Sequence, residues 1–200
     1  MAAESTIKRF TKLAANERRF CQILAVADES LQPGDLSKLV KSVEWSRRST
    51  KPMTVAEAKK VTASLVKKQV LSKQPYNSVA ISPSFQSVAV QTAIHEGTFD
   101  QLCQNIQAKF PRQERLYSYE SDGRVSRDMR IAFYNGDATA YQALAEDVDE
   151  KDSPSCLLEP FDPIIYDRLA PILRELYLAD KRTVFGISFP RGKPGGPRNG

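Results

Sequence analysis

The fold is decided by residues 53–82, which read MTVAEAKKVTASLVKKQVLSKQPYNSVAIS. Thr54, followed three residues later by Glu57, matches a capping box and predicts the start of a helix. Apolar side chains then recur at roughly helical spacing, namely Val55, Ala58, Val61, Leu65 and Val70. Two short β-prone segments follow, separated by turn-forming residues at 73–77. The stretch therefore predicts a helix that runs directly into a β-hairpin.

The opposite face of this predicted helix is basic. Small and lysine side chains share it at helical spacing: Ala56, Lys59, Lys60, Ala63, Ser64, Lys67 and Lys68. Residues 1–75 hold 15 Lys and Arg against 7 Asp and Glu, a net charge of +8, whereas residues 76–200 carry −3. This asymmetry indicates a polyanionic partner, and a merely solvated lysine face is the alternative.

Two further helices are predicted before this stretch, after a short amphipathic segment at residues 4–15. Asn16 is expected to be the N-cap of the first, with Glu17 beside it at the positive helix end. A turn at residues 33–35 follows, and Asp35 is expected to cap the second. The apolar positions of both recur at helical spacing: Phe20, Ile23, Leu24, Ala27, Leu36, Leu39, Val40 and Val43.

Two helices are predicted after the hairpin. Ser84 is expected to cap one of them, which Gly97 ends. The other begins near Thr98 and stops at Pro111. Both are expected to pack behind the preceding helices.

An antiparallel helix pair is predicted further along the chain. Residues 124–135 form its first helix, with Gly136 as the C′ residue and Asp137 as the N-cap of the second. Residues 157–179 again favour helix, with their prolines at helix starts or kinks. The second half is therefore expected to be an α-helical module similar to the start of a helical-repeat array, and the chain to be part of something longer.

This pattern divides the chain into four segments. Residues 1–110 form the first domain and residues 111–123 a linker. Residues 124–189 form the helical module, and residues 190–200 are a basic tail rich in Gly and Pro. The expected fold class is mostly α with one small β-hairpin.

The usual constellations of catalytic and metal-binding residues are missing from the sequence. Cys21, Cys103 and Cys156 lie far apart, and His95 is the only histidine, so a zinc set is not predicted. The odd cysteines, the absence of an apolar signal core and the lack of a long apolar run predict a reduced cytoplasmic protein without a membrane span. We expect no enzyme activity, cofactor or metal.

Element order and residue pattern over residues 17–94 resemble a winged helix-turn-helix domain. The resemblance implies that the third helix enters a DNA groove and that the hairpin is the wing. It assigns Thr54, Ala56, Lys59, Lys60, Ala63 and Lys67 to the helix face in the groove, and Lys73, Gln74, Tyr76 and Asn77 to the wing. Lys68 is added as a further phosphate contact at the end of the helix. Contacts to phosphates are assigned to Arg47, Arg48 and Lys51.

A wider resemblance covers most of the chain. A winged helix followed by helix pairs, with the corner at residues 132–137, looks like the N-terminal region of some large bacterial helicases of the chromatin-remodeller type. It is also similar to large transcription regulators in which a winged helix joins a helical superhelix. Either resemblance implies an accessory module whose motor or sensor lies elsewhere.

The sequence favours a non-catalytic module that binds double-stranded DNA with weak sequence specificity. Lysines supply charge rather than base recognition, which is better served by Arg, Asn and Gln. The helical half is expected to bind a protein partner, and DNA binding would make the protein nucleoid-associated. Two alternatives are open: an adaptor in which both halves bind only proteins, and regulation by a small ligand between the halves.

Overall fold

A computed structural model describes residues 2–43, 53–112, 123–146 and 161–184. The described residues are mostly helical, with one small antiparallel sheet of two strands. The elements in chain order are α1 (Ala2–Thr11), α2 (Ala15–Ala27), α3 (Pro33–Ser42), α4 (Val55–Lys67), β1 (Leu71–Lys73), β2 (Val79–Ile81), α5 (Pro83–His95), α6 (Phe99–Lys109), α7 (Gly123–Tyr134), α8 (Ala138–Ala145), α9 (Pro163–Arg168) and α10 (Pro171–Val184). A tight turn, Pro75–Asn77, joins the two strands, with Tyr76 and Asn77 in the left-handed region.

The predicted helix and hairpin of residues 53–82 are confirmed. Thr54 is the N-cap of α4, and its hydroxyl accepts from the Glu57 N–H at 3.2 Å while Glu57 accepts from the Thr54 N–H at 2.7 Å. α4 ends at Lys67, three residues before the predicted end at Val70. Gln69 adopts a left-handed φ of 58°, and the Val70 N–H donates to the Leu65 carbonyl. The left-handed Gln69 and this hydrogen bond are features of a Schellman motif, which ends the helix and turns the chain into β1.

The sheet is extended by one residue from outside the hairpin. Leu71 pairs with Ile81 and Lys73 with Val79 in the antiparallel register. Leu31, which lies between α2 and α3, forms a bridge to Val79 on the other side, with N–H to carbonyl distances of 3.0 and 2.9 Å. β2 therefore lies between β1 and the extended residue Leu31.

Three predicted caps are wrong by two or three residues. The N-cap of α2 is Ala14 rather than Asn16, because the Glu17 carboxylate accepts from the Ala14 N–H at 3.0 Å. The N-caps of α3 and α5 are Gln32 and Ser82 rather than the predicted Asp35 and Ser84. Pro33 and Pro83 occupy the first helical positions. Proline fits the first helical position because the N–H that it lacks has no partner within the helix there.

One predicted core position on α4 is also wrong. Val55, assigned to the buried face, is about half exposed because it lies at the first position of the helix. Thr62 takes a buried place on that face instead, and its hydroxyl donates to the Lys59 carbonyl. Ala58 and Leu65 are fully buried as predicted.

The predicted corner between two antiparallel helices is confirmed. Gly136 has a φ of 70°, and the Asp137 N–H donates to the Ala132 carbonyl, which closes the end of α7. The Asp137 side chain then accepts from the Ala140 N–H and caps α8. The helix predicted over residues 157–179 is divided within its described part into α9 and α10, because Pro163 and Pro171 each begin a helix.

The core is continuous from α1 to α10 among the described residues. α2 is at its centre and contacts α3, α4, α5, α6 and α7. Phe20, Ile23 and Leu24 on α2 are fully buried. The first and second predicted domains therefore share one apolar cluster, although most of the predicted linker lies outside the described residues.

Candidate nucleic-acid interface

One face of α4 presents a continuous basic surface to solvent. We call it the lysine stripe, and it consists of Ala56, Lys59, Lys60, Ala63 and Lys67, all of which are exposed. At 100° per residue these positions lie within about 100° of one another around the helix. The stripe is opposite Ala58 and Leu65, which face the core. Packing of the buried face against α2 and α3 therefore orients the stripe outward.

The three lysines of the stripe have no acidic partner among the described residues. No ion pair in that part of the chain involves Lys59, Lys60 or Lys67. The sequence also contains no Asp or Glu between Glu57 and Glu96, so α4 beyond its first turn, the hairpin and α5 lack nearby acids in the chain. Their positive charges are therefore available to an anion from outside the molecule.

Lys68 does not join the stripe, although the sequence placed it there. Its Nζ donates to Glu17 at 2.6 and 2.7 Å, and its side chain is 47 % exposed. The Ser64 hydroxyl donates to the same carboxylate at 2.7 Å. Both residues lie about a quarter turn or more from the centre of the stripe and face the start of α2. Lys68 is thus a structural partner of Glu17.

Glu17 joins the start of α2 to the end of α4. Its side chain is only 8 % exposed and receives hydrogen bonds from Lys68, Ser64 and the Ala14 N–H. Burial alone would raise the pKa of this carboxyl, but the hydrogen bonds from Lys68, Ser64 and Ala14 outweigh burial and lower the pKa below its ordinary value. The carboxylate thereby fixes the position of α4 relative to α2.

Thr54 has a local structural role. Its hydroxyl and backbone N–H are both used in the capping box with Glu57. The side chain is exposed at the N-terminal end of α4, but it lies on the opposite side of the helix axis from the stripe. A contact from Thr54 to a bound groove would therefore come only from the helix end.

The hairpin carries the other described site residues at its turn. Lys73, Gln74, Tyr76 and Asn77 are all exposed, and Tyr76 is 89 % exposed. β1 begins four residues after the end of α4, so the hairpin and the stripe are consecutive in the chain. The structure therefore places Lys73, Tyr76 and Asn77 together at the exposed turn of the hairpin.

The remaining predicted contacts lie outside the described residues. Arg47, Arg48 and Lys51 belong to the connection between α3 and α4. They stay predictions from the sequence.

Sequence reasoning did not identify two features of this region. The first is the Glu17 carboxylate, whose partners Ser64 and Lys68 lie about 50 residues away in the chain. The second is the backbone of Tyr76, which has a left-handed φ of 58°. The Asn77 beside it, a residue that tolerates this conformation, was the available signal for a tight turn.

The described residues contain no group of three or more His, Cys, Asp and Glu that could hold a metal ion. Burial raises the pKa of the Cys21 and Cys103 thiols far above the ordinary value, which disfavours the reactive thiolate. His95 contacts Asp162, the N-cap of α9, at 2.5 Å.

A cavity lies between α2, α5, α6 and α7. Its lining includes Val26, Val90 and Phe99, and its volume is about 10 Å³. That volume holds about one water molecule. This cavity therefore gives no support to the alternative of a small regulatory ligand between the halves.

None of the helices in the described ranges is long and apolar enough to cross a membrane.

A scan against protein-family models and searches of curated proteins and of solved structures found no significant match to this chain. The function must therefore be argued from the geometry of the stripe and the hairpin.

Proposed function

We propose that this protein is a winged-helix module that binds double-stranded DNA through the lysine stripe and the hairpin. The observation that carries the proposal is the lysine stripe itself: three exposed lysines without acidic partners in the described residues, on a helix followed directly by a projecting turn. Binding is weakly sequence-specific, and the module itself is non-catalytic.

The order of elements supports the winged-helix interpretation. α2 is followed by the extended residue Leu31, then by α3 and α4, and then by the β1–β2 hairpin. Leu31 pairs with β2 and so completes a small sheet at the base of the hairpin. In this arrangement α4 corresponds to the third helix, which winged-helix proteins place in the groove.

The dimensions of α4 suit the major groove. An α-helix with side chains is about 10–12 Å wide, and the major groove is about 12 Å wide. Ala56 and Ala63 are small, which permits close approach of the helix backbone along the middle of the stripe. Lys60 and Lys67 are two turns apart, about 10 Å along the axis, so they can reach different phosphates.

The chemistry of the stripe favours phosphate contacts over base recognition. Discrimination between bases relies mainly on bidentate contacts from Arg, Asn and Gln, and the stripe contains none of these residues. Lysine ammonium groups bind phosphate as point charges. Affinity should therefore depend strongly on salt and weakly on sequence.

The test is DNA binding by the variant Lys59→Glu/Lys60→Glu/Lys67→Glu, measured by fluorescence anisotropy over a series of salt concentrations. We expect wild type to bind duplex DNA at low salt with a steep salt dependence. Each lost phosphate contact lowers the log–log slope by about 0.9, so the variant should lose up to about 2.7 units of slope along with most of its affinity.

A matched control is Lys12→Glu/Lys38→Glu/Lys41→Glu. These lysines are exposed and lie outside α4 and the hairpin, and each triple variant changes the net charge from +5 to −1. The control should keep most of the affinity. Equal losses in both variants would mean that net charge rather than the stripe drives binding, and absence of binding by wild type would refute the proposal.

A second candidate function is protein binding through the C-terminal helices. Phe161 and Ile164 are more than half exposed, and α10 adds exposed Ile172, Leu176 and Leu178. Exposed apolar side chains at the start of α9 and along α10 favour an interaction surface. This surface is compatible with DNA binding by α4, as in a module of a larger regulatory or helicase assembly. If wild type fails to bind DNA, the adaptor alternative is favoured instead.

A further inference from the structure

Tyr76 combines high exposure with an unfavourable backbone conformation. It is 89 % exposed at the turn of the hairpin, with φ 58° and ψ 32°. Asn77 follows with a φ of 58°. Asn tolerates this region, but a bulky aromatic residue there is uncommon and strained. Such strain persists only where the surrounding structure imposes it, and it is concentrated at functional sites.

The turn that holds Tyr76 is rigid. The Gln74 N–H donates to the Ser78 carbonyl at 2.9 Å, and the Ser78 N–H and hydroxyl donate to the Pro75 carbonyl at 3.2 and 2.7 Å. Ser78 is buried, and its neighbour Val79 pairs on both sides, with Lys73 and with Leu31. The ring is therefore held away from the protein by a fixed frame, so little backbone entropy is lost when it binds a ligand.

The surroundings of the ring select the class of ligand. Its exposed neighbours Ser72, Lys73, Gln74 and Asn77 are polar or basic. An apolar protein pocket would be complemented by several apolar neighbours, whereas Pro75 is the one exposed apolar residue beside the ring in this turn. A flat, polyanionic ligand fits better, because an aromatic ring stacks on a nucleobase while a nearby lysine contacts phosphate.

We infer that Tyr76 stacks on an unpaired base, so that the preferred ligand is a junction between duplex and single-stranded DNA. This inference rests on the proposed binding of DNA by the lysine stripe. Within a continuous duplex both faces of a base are covered by its neighbours, whereas an unpaired base offers a free face. With α4 on the duplex, the projecting turn contacts the adjoining single-stranded segment.

The test compares two labelled DNAs with the same duplex sequence, one blunt and one carrying unpaired arms that form a fork. Anisotropy titrations at one salt concentration use the full chain as wild type, Tyr76→Phe and Tyr76→Asn. Wild type and Tyr76→Phe should bind the fork about tenfold more tightly than the blunt duplex, since stacking on one base supplies a preference of about this size. Tyr76→Asn should lose this preference, so that its affinities for the fork and for the blunt duplex become equal.

Thermal unfolding provides an independent readout and shows that the variant is folded. Because Asn accepts the left-handed conformation, Tyr76→Asn should raise Tm by about 2–4 °C while it removes the preference for the fork. A gain in stability together with loss of the preference for the fork would support a strained residue that is kept for its ligand.

The outcomes separate the two proposals. If wild type binds neither DNA at low salt, the proposed function fails and this inference fails with it. If wild type binds both equally, or if Tyr76→Asn keeps the preference for the fork, the stacking role is refuted while DNA binding stands.

Discussion

At the scale of single residues, one carboxylate decides which lysines are available for binding. Glu17 is buried at the start of α2 and binds Lys68 and Ser64 at the end of α4. Lys68 is thereby removed from the stripe, whereas Lys59, Lys60 and Lys67 have no acidic partner in the described residues. The same ion pair orients α4. Lys68 therefore adds no free charge to the stripe but helps to position the helix that carries it.

Glu17→Gln should destabilise the protein by about 1–3 kcal/mol at pH 7, because the buried acceptor of several hydrogen bonds loses its charge. The lowered pKa of Glu17 fixes the pH dependence. An unfolded glutamate has a pKa of about 4.3, so the stabilisation is present above that pH and is lost as the pH falls through the lower folded-state pKa.

Urea unfolding followed by circular dichroism at pH 7 and at low pH measures this effect. The difference in stability between wild type and Glu17→Gln should shrink as the pH is lowered. Glu175→Gln is the control, since Glu175 is exposed on α10, and it should change little at either pH. A difference for Glu17→Gln that stays constant with pH would argue against the assigned role of the carboxylate.

At the scale of elements, the glycines that follow α5 and α7 have the same backbone conformation but different packing. Gly97 and Gly136 follow α5 and α7 with nearly equal φ values of 69° and 70°. A Cβ at Gly97 would meet nothing within 4 Å, whereas one at Gly136 would lie 2.9 Å from the backbone carbonyl oxygen of Arg168. The end of α9 therefore packs against the corner between α7 and α8.

Gly97→Ala should lower the free energy of unfolding by about 1–2 kcal/mol, because a side chain is unfavourable in the left-handed region. Gly136→Ala should cost at least about 1 kcal/mol more, because the methyl group forces α9 away from the corner. Chemical unfolding of both variants under one set of conditions gives the comparison. Equal losses would show that α9 does not pack tightly on the corner in solution.

At the scale of the whole molecule, α7 joins the two halves through three arginines on one face. Arg130 pairs with Asp28, and Arg124 lies 3.7 Å from Glu29. Arg127 is only 1 % exposed and donates to the Phe110 carbonyl at 2.8 Å. α7 and α2 also belong to one apolar cluster. We therefore expect the described core to unfold as one cooperative unit.

Asp28→Asn tests this cooperativity. Asn tolerates the left-handed φ of 52° at Asp28, so the variant removes the charge that Arg130 binds without adding backbone strain. It should lower the stability by about 1 kcal/mol. Hydrogen exchange should show the same decrease for the slowest amides of α2 and α7. A decrease confined to α7 would indicate two separately unfolding parts.

The features that the sequence predicted are those set by interactions between residues close together in the chain. The helices, the hairpin and the corner at Gly136 and Asp137 were predictable, because periodicity, caps and turn residues act over a few positions. α3 begins two residues before the polar residue Asp35 and α5 begins one residue before Ser84, because Pro33 and Pro83 favour the first helical position. For the candidate site, the sequence predicted the exposed lysines and the residues of the turn.

The sequence by itself determined a mostly helical chain with one hairpin and a basic face on the helix before it. Only the tertiary structure decided that Lys68 pairs with Glu17 and that Leu31 completes the sheet. The physical reason is distance along the chain. Glu17 and Lys68, like Leu31 and Val79, are separated by tens of residues, and only packing around α2 brings each pair together.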